Sequence, residues 1–343
     1  MKLSIGIVGL PNVGKSTLFK ALTKNEVNIA NYPFATIDPN VGVVSVPDER
    51  LDKLAAMSKS KKIIPAIVEF YDIAGLVKGA NKGEGLGNQF LSHIKETNAV
   101  VMVLRVFGGE EIIHVENSVD PIRDMDIVNM ELALKDLDLV EKAFKRLEGE
   151  ARAGNKDALK ALEAVKAIKP ALEAGKPINT PAFAVALENP KVRELDLLMS
   201  KKQLYLLNGK PTDVSEELKK KIAGIGASYV VADLSTAENV PELVKKAYEI
   251  LDLISFFTTG EDETRAWTIK RGFKAPQAAG AIHTDFEKKF IRAEVINWQK
   301  LLEAHSTSSG QAGWAAAKQK GWLRLEGKDY IVADGDVMEI RHG

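Results

Sequence analysis

The sequence contains no cysteine. Disulfides, thiolate nucleophiles, zinc ribbons and iron–sulfur clusters are excluded at once. Net charge is missing too, because 47 Lys and Arg face 47 Asp and Glu. A nucleic-acid or membrane partner must therefore meet a local patch rather than a global field. Long apolar runs are absent: stretches such as Val100–Leu104 fall far short of the ~20 residues that span a bilayer. Met1-Lys2-Leu3 with Ile5–Leu10 resembles a short signal peptide, but Lys15 and Ser16 interrupt it and no small-residue cleavage site follows. No internal repeat or low-complexity tract is found. What is present is ordinary globular material, 343 residues at 45% apolar and 27% charged, enough for about two domains with their own cores. The expectation is a soluble, cytoplasmic protein with no membrane partner.

Residues 2–8 read as a short apolar strand running into Gly9-Leu10-Pro11-Asn12-Val13-Gly14-Lys15-Ser16-Thr17, with helical spacing from Leu18 to Thr23. Apolar strands are also expected at Ala66–Asp72 and Ala99–Val106, with a helix over Gln89–Glu96 between them. Strands alternating with helices predict an α/β domain built on a mainly parallel sheet. From about Asp126 the texture changes. Val128, Leu132, Val140, Phe144 and Leu147 recur at helical steps, and after a polar break at Gly149–Lys156 a second run follows, ending near Pro170. This predicts a helical hairpin. Its basic excess over Arg152–Lys169 is either a solvated face or a partner-facing stripe. The α/β pattern resumes at Gln203–Leu207, with a helix over Ser215–Ile222, a strand at Tyr229–Ala232 and a helix over Pro241–Leu251. From Phe256 onward short strands and turns predict a small α+β domain, with a strand at Arg265–Lys270, a helix over Thr284–Arg292 and strands at Tyr330–Val332 and Val337–Ile340. The expected division is 1–125 with 200–255 as the first domain, 126–199 as a helical insertion and 256–343 as the last domain.

Gly9 to Ser16 fit G-x-x-x-x-G-K-S between a strand and a helix, the context that gives the motif its meaning. Asn12, Val13, Gly14, Lys15, Ser16 and Thr17 would wrap a nucleotide's phosphates with backbone N–H groups at a helix N-terminus. Lys15 would reach the β- and γ-phosphates, and Ser16 would ligate Mg2+. Asp72-Ile73-Ala74-Gly75 closes the second expected strand. There Asp72 can hold the metal through water and Gly75 can offer its amide to the γ-phosphate. Thr36, in Asn31-Tyr32-Pro33-Phe34-Ala35-Thr36, is a hydroxyl candidate for a switch-type magnesium contact alongside Tyr32. Gly75 to Gly87 reads as a second switch. Leu76 stands where many GTPases carry a glutamine that orients the attacking water, so catalysis must draw on another side chain, a monovalent cation such as K+, or a partner. Asn12 is either a potassium ligand or a loop former. His93 is a weaker candidate.

GTPases usually carry N-K-x-D after a later strand, and its aspartate accepts from guanine. Here the stretch is Leu207-Asn208-Gly209-Lys210-Pro211. Asn208 is in place, but Pro211 has no acceptor, which removes the main guanine preference and favours ATP over GTP. Asp213 substitutes only if the loop bends back.

With these residues in hand, the sequence resembles the Obg-like ATPases, the YchF subfamily of P-loop NTPases. The resemblance rests on the Gly9–Phe19, Asn31–Phe34, Asp72–Ala80 and Gly83–Leu91 segments, and on Arg265–Thr268, Pro276–Gly280, His283–Glu287 and Asp334–Met338. It implies a G domain, an inserted helical coiled-coil domain and a C-terminal TGS domain of β-grasp type. It also implies ATP hydrolysis with a hydrophobic residue replacing the usual glutamine, which Leu76 fits, and association with the ribosome. The family pattern N-x-x-E departs here to Asn208-Gly209-Lys210-Pro211. A monomer is expected. Lys15, Thr36 and Gly75 would then carry catalysis, and Ser16, Thr36 and Asp72 the metal. The alternatives are a nucleotide-gated ribosome- or RNA-binding adaptor with little turnover, a GTPase, or a small-molecule kinase. The adaptor would use Lys270, Arg271, Lys274, Lys288, Lys289 and Arg292, with Trp267 and Phe273 for stacking.

Overall fold

The computed structural model describes residues 4–24, 32, 38, 40–73, 93–108, 119–237, 239–306 and 313–343. Two compact units emerge. Glu69–Ile250, together with the N-terminal strand and helix, makes the first, whereas Val44–Val68 joins Leu251–Gly343 in the second.

The first unit is organised around a six-stranded sheet of order β2-β4-β1-β5-β6-β7. Its strands are β1 (Ser4–Val8), β2 (Val41–Ser45), β4 (Ile67–Asp72), β5 (Ala99–Arg105), β6 (Lys202–Asn208) and β7 (Ser228–Ala232). β1 runs parallel to β4 and β5, and β5, β6 and β7 continue in parallel. Strands buried on both faces read as unbroken apolar runs, as β1 and β5 do, with every residue buried. Crossover connections place the carboxyl ends of parallel strands on one edge, where open α/β sheets bind ligands. β1 leads there directly into helix α1 (Lys15–Thr23).

The helical hairpin is present and longer than its apolar spacing suggests. Helix α3 spans Pro121–Arg152, capped by the Asp120 side chain with Pro121 at its first turn, and α4 spans Lys156–Glu173, capped by Asn155. The break is therefore only Ala153–Asn155, and Pro170 lies inside α4 one turn before its end, where the missing N–H costs little continuity. Val128, Leu132, Val140 and Leu147 of α3 are buried, as are Ala158, Ala161, Val165 and Ile168 of α4. Lys169 and Arg152 of the basic stretch lie near Glu141, Glu173 and Glu148. Two buried polar clusters fix α3. The Tyr205 hydroxyl donates to Gln203 at 2.7 Å, Gln203 to Asn129 at 3.2 Å, and Asn129 to the Tyr205 oxygen at 3.4 Å. Further along, Asp136 accepts the backbone N–H groups of Leu198 and Met199 at 2.9 and 2.8 Å.

The second unit holds a mixed sheet of order β11-β10-β12-β8-β9-β3. β8 (Leu253–Thr259) pairs antiparallel with β9 (Glu263–Lys270) and parallel with β12 (Asp336–His342), and β12 pairs antiparallel with β10 (Phe290–Asn297), which carries β11 (Arg324–Glu326). On the opposite edge β3 (Lys62–Ile64) lies parallel to β9. The core joins Phe256, Ile269, Phe290 and Val295 to Ala275, Ala278 and Ala279 of the helix Ala275–Ile282. Two expectations fail here. The helix from Thr284 ends at Lys288, and Phe290–Asn297 is a strand, because Phe290, Ala293 and Val295 are buried while its backbone ladders with β12. Tyr330–Val332 forms no strand, only a bridge from Ile331 to Lys274. The helices Ala275–Ile282 and Trp298–Ser306 had no counterpart in the sequence reading.

No described helix is long and apolar enough to cross a membrane.

Candidate functional site

At the carboxyl edge of the first unit's sheet lies a cavity of about 670 Å³. Asn12, Gly14, Lys15, Ser16, Thr17 and Asn208 line it, so six of the expected nucleotide-binding residues meet in one place.

The turn from β1 to α1 depends on its glycines. Gly9 has φ 153°, and a Cβ there would lie 2.7 Å from the Val103 carbonyl oxygen. Gly14 has φ 110°, and its Cβ would lie 2.6 Å from Asn208 Nδ2. Only glycine fits both the conformation and the space. Asn12 also adopts positive φ, at 63°, which asparagine tolerates better than most residues. Val13 is buried beneath the loop, and its carbonyl accepts from Asn208 Nδ2 at 2.9 Å. Asn208 Oδ1 in turn accepts the Leu234 N–H at 3.2 Å. Both ends of this buried amide thus brace the phosphate-type loop between β6 and the segment after β7.

Lys15 opens α1, whose first turn carries no acidic residue to cancel the helix dipole. The side chain is buried, and Nζ donates to the Leu10 carbonyl at 2.7 Å. Burial lowers its pKa from 10.5 to about 8, with Asp72 pulling the other way. A buried ammonium held by one carbonyl, at a helix N-terminus, is a site prepared for an anion. Asp72 ends β4, and burial raises its carboxyl above the ordinary range while Lys15 draws it back. Thr36, Gly75, Leu76 and the Gly75–Gly87 segment lie outside the described residues, as does the first half of Gln89–Glu96. His93 is exposed in a helical turn.

Further wall comes from Gly209 of the Asn208–Pro211 stretch and from residues that no sequence motif marks: Arg105, Phe107, Gly108, Asp233, Leu234 and Ser235. They end or follow β5, β6 and β7, and their common signal is position at strand ends. Arg105 is buried, donates through Nε to the Phe107 carbonyl at 3.1 Å, and sits 4.5 Å from that ring's centroid. Asp213, whose place depended on the loop bending back, lines the cavity, as does Lys210.

In the second unit the aromatic candidates pack inward. Trp267 donates to Thr258 Oγ1 at 2.9 Å and lies 4.1 Å from the Arg265 guanidinium, and Phe273 lies against the core. Lys274 pairs with Asp329 at 2.8 Å.

Known proteins resemble this chain along nearly its whole length. A family model described as 50S ribosome-binding GTPase matches residues 4–140. A second, for the C-terminal region of YchF GTPases and described as a protein of unknown function, matches 253–343. The chain is 44% identical to the ribosome-binding ATPase YchF of Bacillus subtilis, over 99% of both proteins. Identity to the protein of that name from Escherichia coli O157:H7 is also 44%, again over 99% of both. Among solved structures, the YchF GTPase of Schizosaccharomyces pombe is 37% identical and superposes with a TM-score of 0.82, over 99% of this chain and 98% of that one. Likeness of this extent makes the chain a member of the YchF family of Obg-like P-loop NTPases.

Proposed function

We propose that this protein is a magnesium-dependent ATPase that acts as a nucleotide-controlled switch on the ribosome. The observation that carries the reading is the turn at Gly14-Lys15: a left-handed glycine, a helix N-terminus free of acid and a buried lysine facing one cavity. The names of the full-length relatives support ATP as substrate and the ribosome as partner.

Backbone N–H groups around Gly14 to Thr17 hold the phosphates, and Lys15 leaves the Leu10 carbonyl to neutralise them. The donor set suits magnesium, because the Ser16 hydroxyl and the Asp72 carboxylate are hard oxygens that this ion prefers. Ser16, Asp72 and Thr36 would hold it, and when bound it would neutralise charge on the β- and γ-phosphate oxygens. Asn208 keeps the loop in register, and Gly75 serves the γ-phosphate. Leu76 cannot orient water, so turnover is slow until a partner, or a potassium ion near Asn12, completes the site. The helical insertion of 126–199 works within the first unit, residues 44–68 act with 251–343 in the second, and the monomer works in the cytoplasm. Replacing Lys15 by Ala should weaken magnesium–ATP binding by at least about tenfold and abolish turnover. Unchanged affinity and rate in K15A would sink the reading.

A further inference from the structure

We infer that Lys201 is a positioning residue for ATP turnover, through which the helical insertion holds the end of the helix that follows the second switch segment. It rests on the ATPase reading above, in which Gly75 serves the γ-phosphate.

Lys201 is buried, and a lysine is almost never buried without partners. Its Nζ donates to the Thr97 carbonyl at 2.7 Å and to the Lys95 carbonyl at 2.9 Å. Both acceptors lie at the C-terminal end of the helical turn His93–Lys95, where carbonyls find no partner within a helix. The Ile94 carbonyl is taken by the N–H and the hydroxyl of Thr97 at 3.0 and 2.8 Å, and the Glu96 carbonyl by the Ser4 hydroxyl at 3.4 Å. A cation at this end also suits the helix dipole. Asp196 lies 3.4 Å from Nζ but is 54% exposed, so the carbonyls rather than an ion pair hold the ammonium.

Lys201 is itself set by both legs of the hairpin. Asp136, midway along α3, accepts the N–H groups of Leu198 and Met199 in the turn Leu198–Ser200 just before it. Beyond α4, the Ile178 N–H donates to the Met199 carbonyl at 2.9 Å, and Asn179 Nδ2 donates to the Lys201 carbonyl at 2.8 Å. A displacement of the hairpin therefore moves this turn, and the ammonium passes it to the helix end. The Gly75–Gly87 segment precedes that helix by only a few residues in the chain. Neither Asp136 nor Lys201 lines the nucleotide cavity, so their loss should act on turnover rather than on binding.

Steady-state turnover and calorimetric magnesium–ATP affinity should be measured for the full chain and for K201M, K201R, D136A and the D136A/K201M pair, with amide exchange followed over residues 93–98. K201M should lower kcat by about tenfold or more and leave the affinity unchanged. K201R, which keeps a charged donor for the last carbonyls, should stay within about threefold of the wild type. D136A removes no bond to the helix end, yet it should speed exchange at 93–98 and lower kcat. The double variant should turn over no more slowly than K201M, because the two residues act in series. An unchanged kcat in K201M, or a loss of affinity in step with kcat, would show that Lys201 only closes the helix and overturn the inference. Multiplied losses in the double variant, or unchanged exchange in D136A, would overturn the link to the insertion. Should K201M not fold, D136A decides alone through exchange and turnover. Wild-type turnover that is lost in K15A leaves the ATPase reading standing whatever Lys201 does, whereas a wild type that binds no ATP ends both.

Discussion

Lys15 shows how one side chain can report on the state of the site. With no anion bound, burial places its pKa at about 8, so it is charged below that pH and neutral above it. A bound phosphate restores the charge, and above pH 8 binding must take up a proton. ATP affinity should accordingly hold between pH 6 and 7.5 and fall by up to about tenfold per unit beyond 8. Calorimetry in buffers of different ionisation enthalpy would detect the uptake directly, and K15R, always charged, should lack it. Lys15 was legible in the sequence because its motif is contiguous. Asp233 and Ser235 were not, because only the parallel order of β6 and β7 carries them to the same edge. Asn208 was recognised by type, yet its observed task is to hold Val13 and Leu234, a long-range contact that spacing cannot reveal.

At the level of elements, the long helix α3 carries an unusual anchor. Asp136 is fully buried, and although the Leu198 and Met199 amides favour its charge, desolvation wins and raises its pKa from 3.8 to about 6. The folded value lies above the ordinary one. Its contribution to stability is therefore complete below about pH 4 and is lost as pH rises through about 6. Between those limits the change is about 3 kcal/mol at most. D136N removes the titrating group. The stability of D136N relative to wild type should thus improve by up to that amount from pH 4 to pH 7, read from urea midpoints by helical circular dichroism. A difference independent of pH would show that the carboxyl is not perturbed. The hairpin itself was legible because its apolar positions repeat at three and four over many turns. Phe290–Asn297 was misread as the tail of a helix because its alternation is short and its ladder partner β12 lies far along the chain.

For the whole molecule, the instructive feature is that the second unit is not a continuous stretch. Helix α2 (Glu49–Ser58) buries Leu51, Leu54 and Ala55, and β3 extends the sheet beyond β9. Arg50 donates to Asp334 at 2.7 Å and to Asp48 at 2.8 Å, and its guanidinium lies 5.1 Å from the Phe257 ring centroid. Asp334 in turn accepts the Ser255 N–H at 2.9 Å. A fragment of residues 251–343 lacks α2, β3 and Arg50 and exposes the β9 edge. It should show no cooperative thermal transition, and fusing residues 44–68 to it should restore one. A sharp transition in the short fragment would contradict this account. Nothing in the sequence marks residues 44–68 as belonging with the C-terminal third, since the strand pairing spans three residues and the other links are scattered single contacts such as Arg50–Asp334, Ser58–Thr259 and Ser60–Thr264.

Interleaving also sets an order in time. During synthesis α2 and β3 leave the ribosome early, but β8 and β9 follow roughly 190 residues later, a delay of about 10 to 40 s at ordinary elongation rates. Throughout that interval Leu51, Leu54 and Ala55 have no sheet to cover them. The newborn chain must carry an uncovered apolar helix face until its last third emerges, which makes the nascent state, rather than the finished protein, the stage at which chaperones matter most.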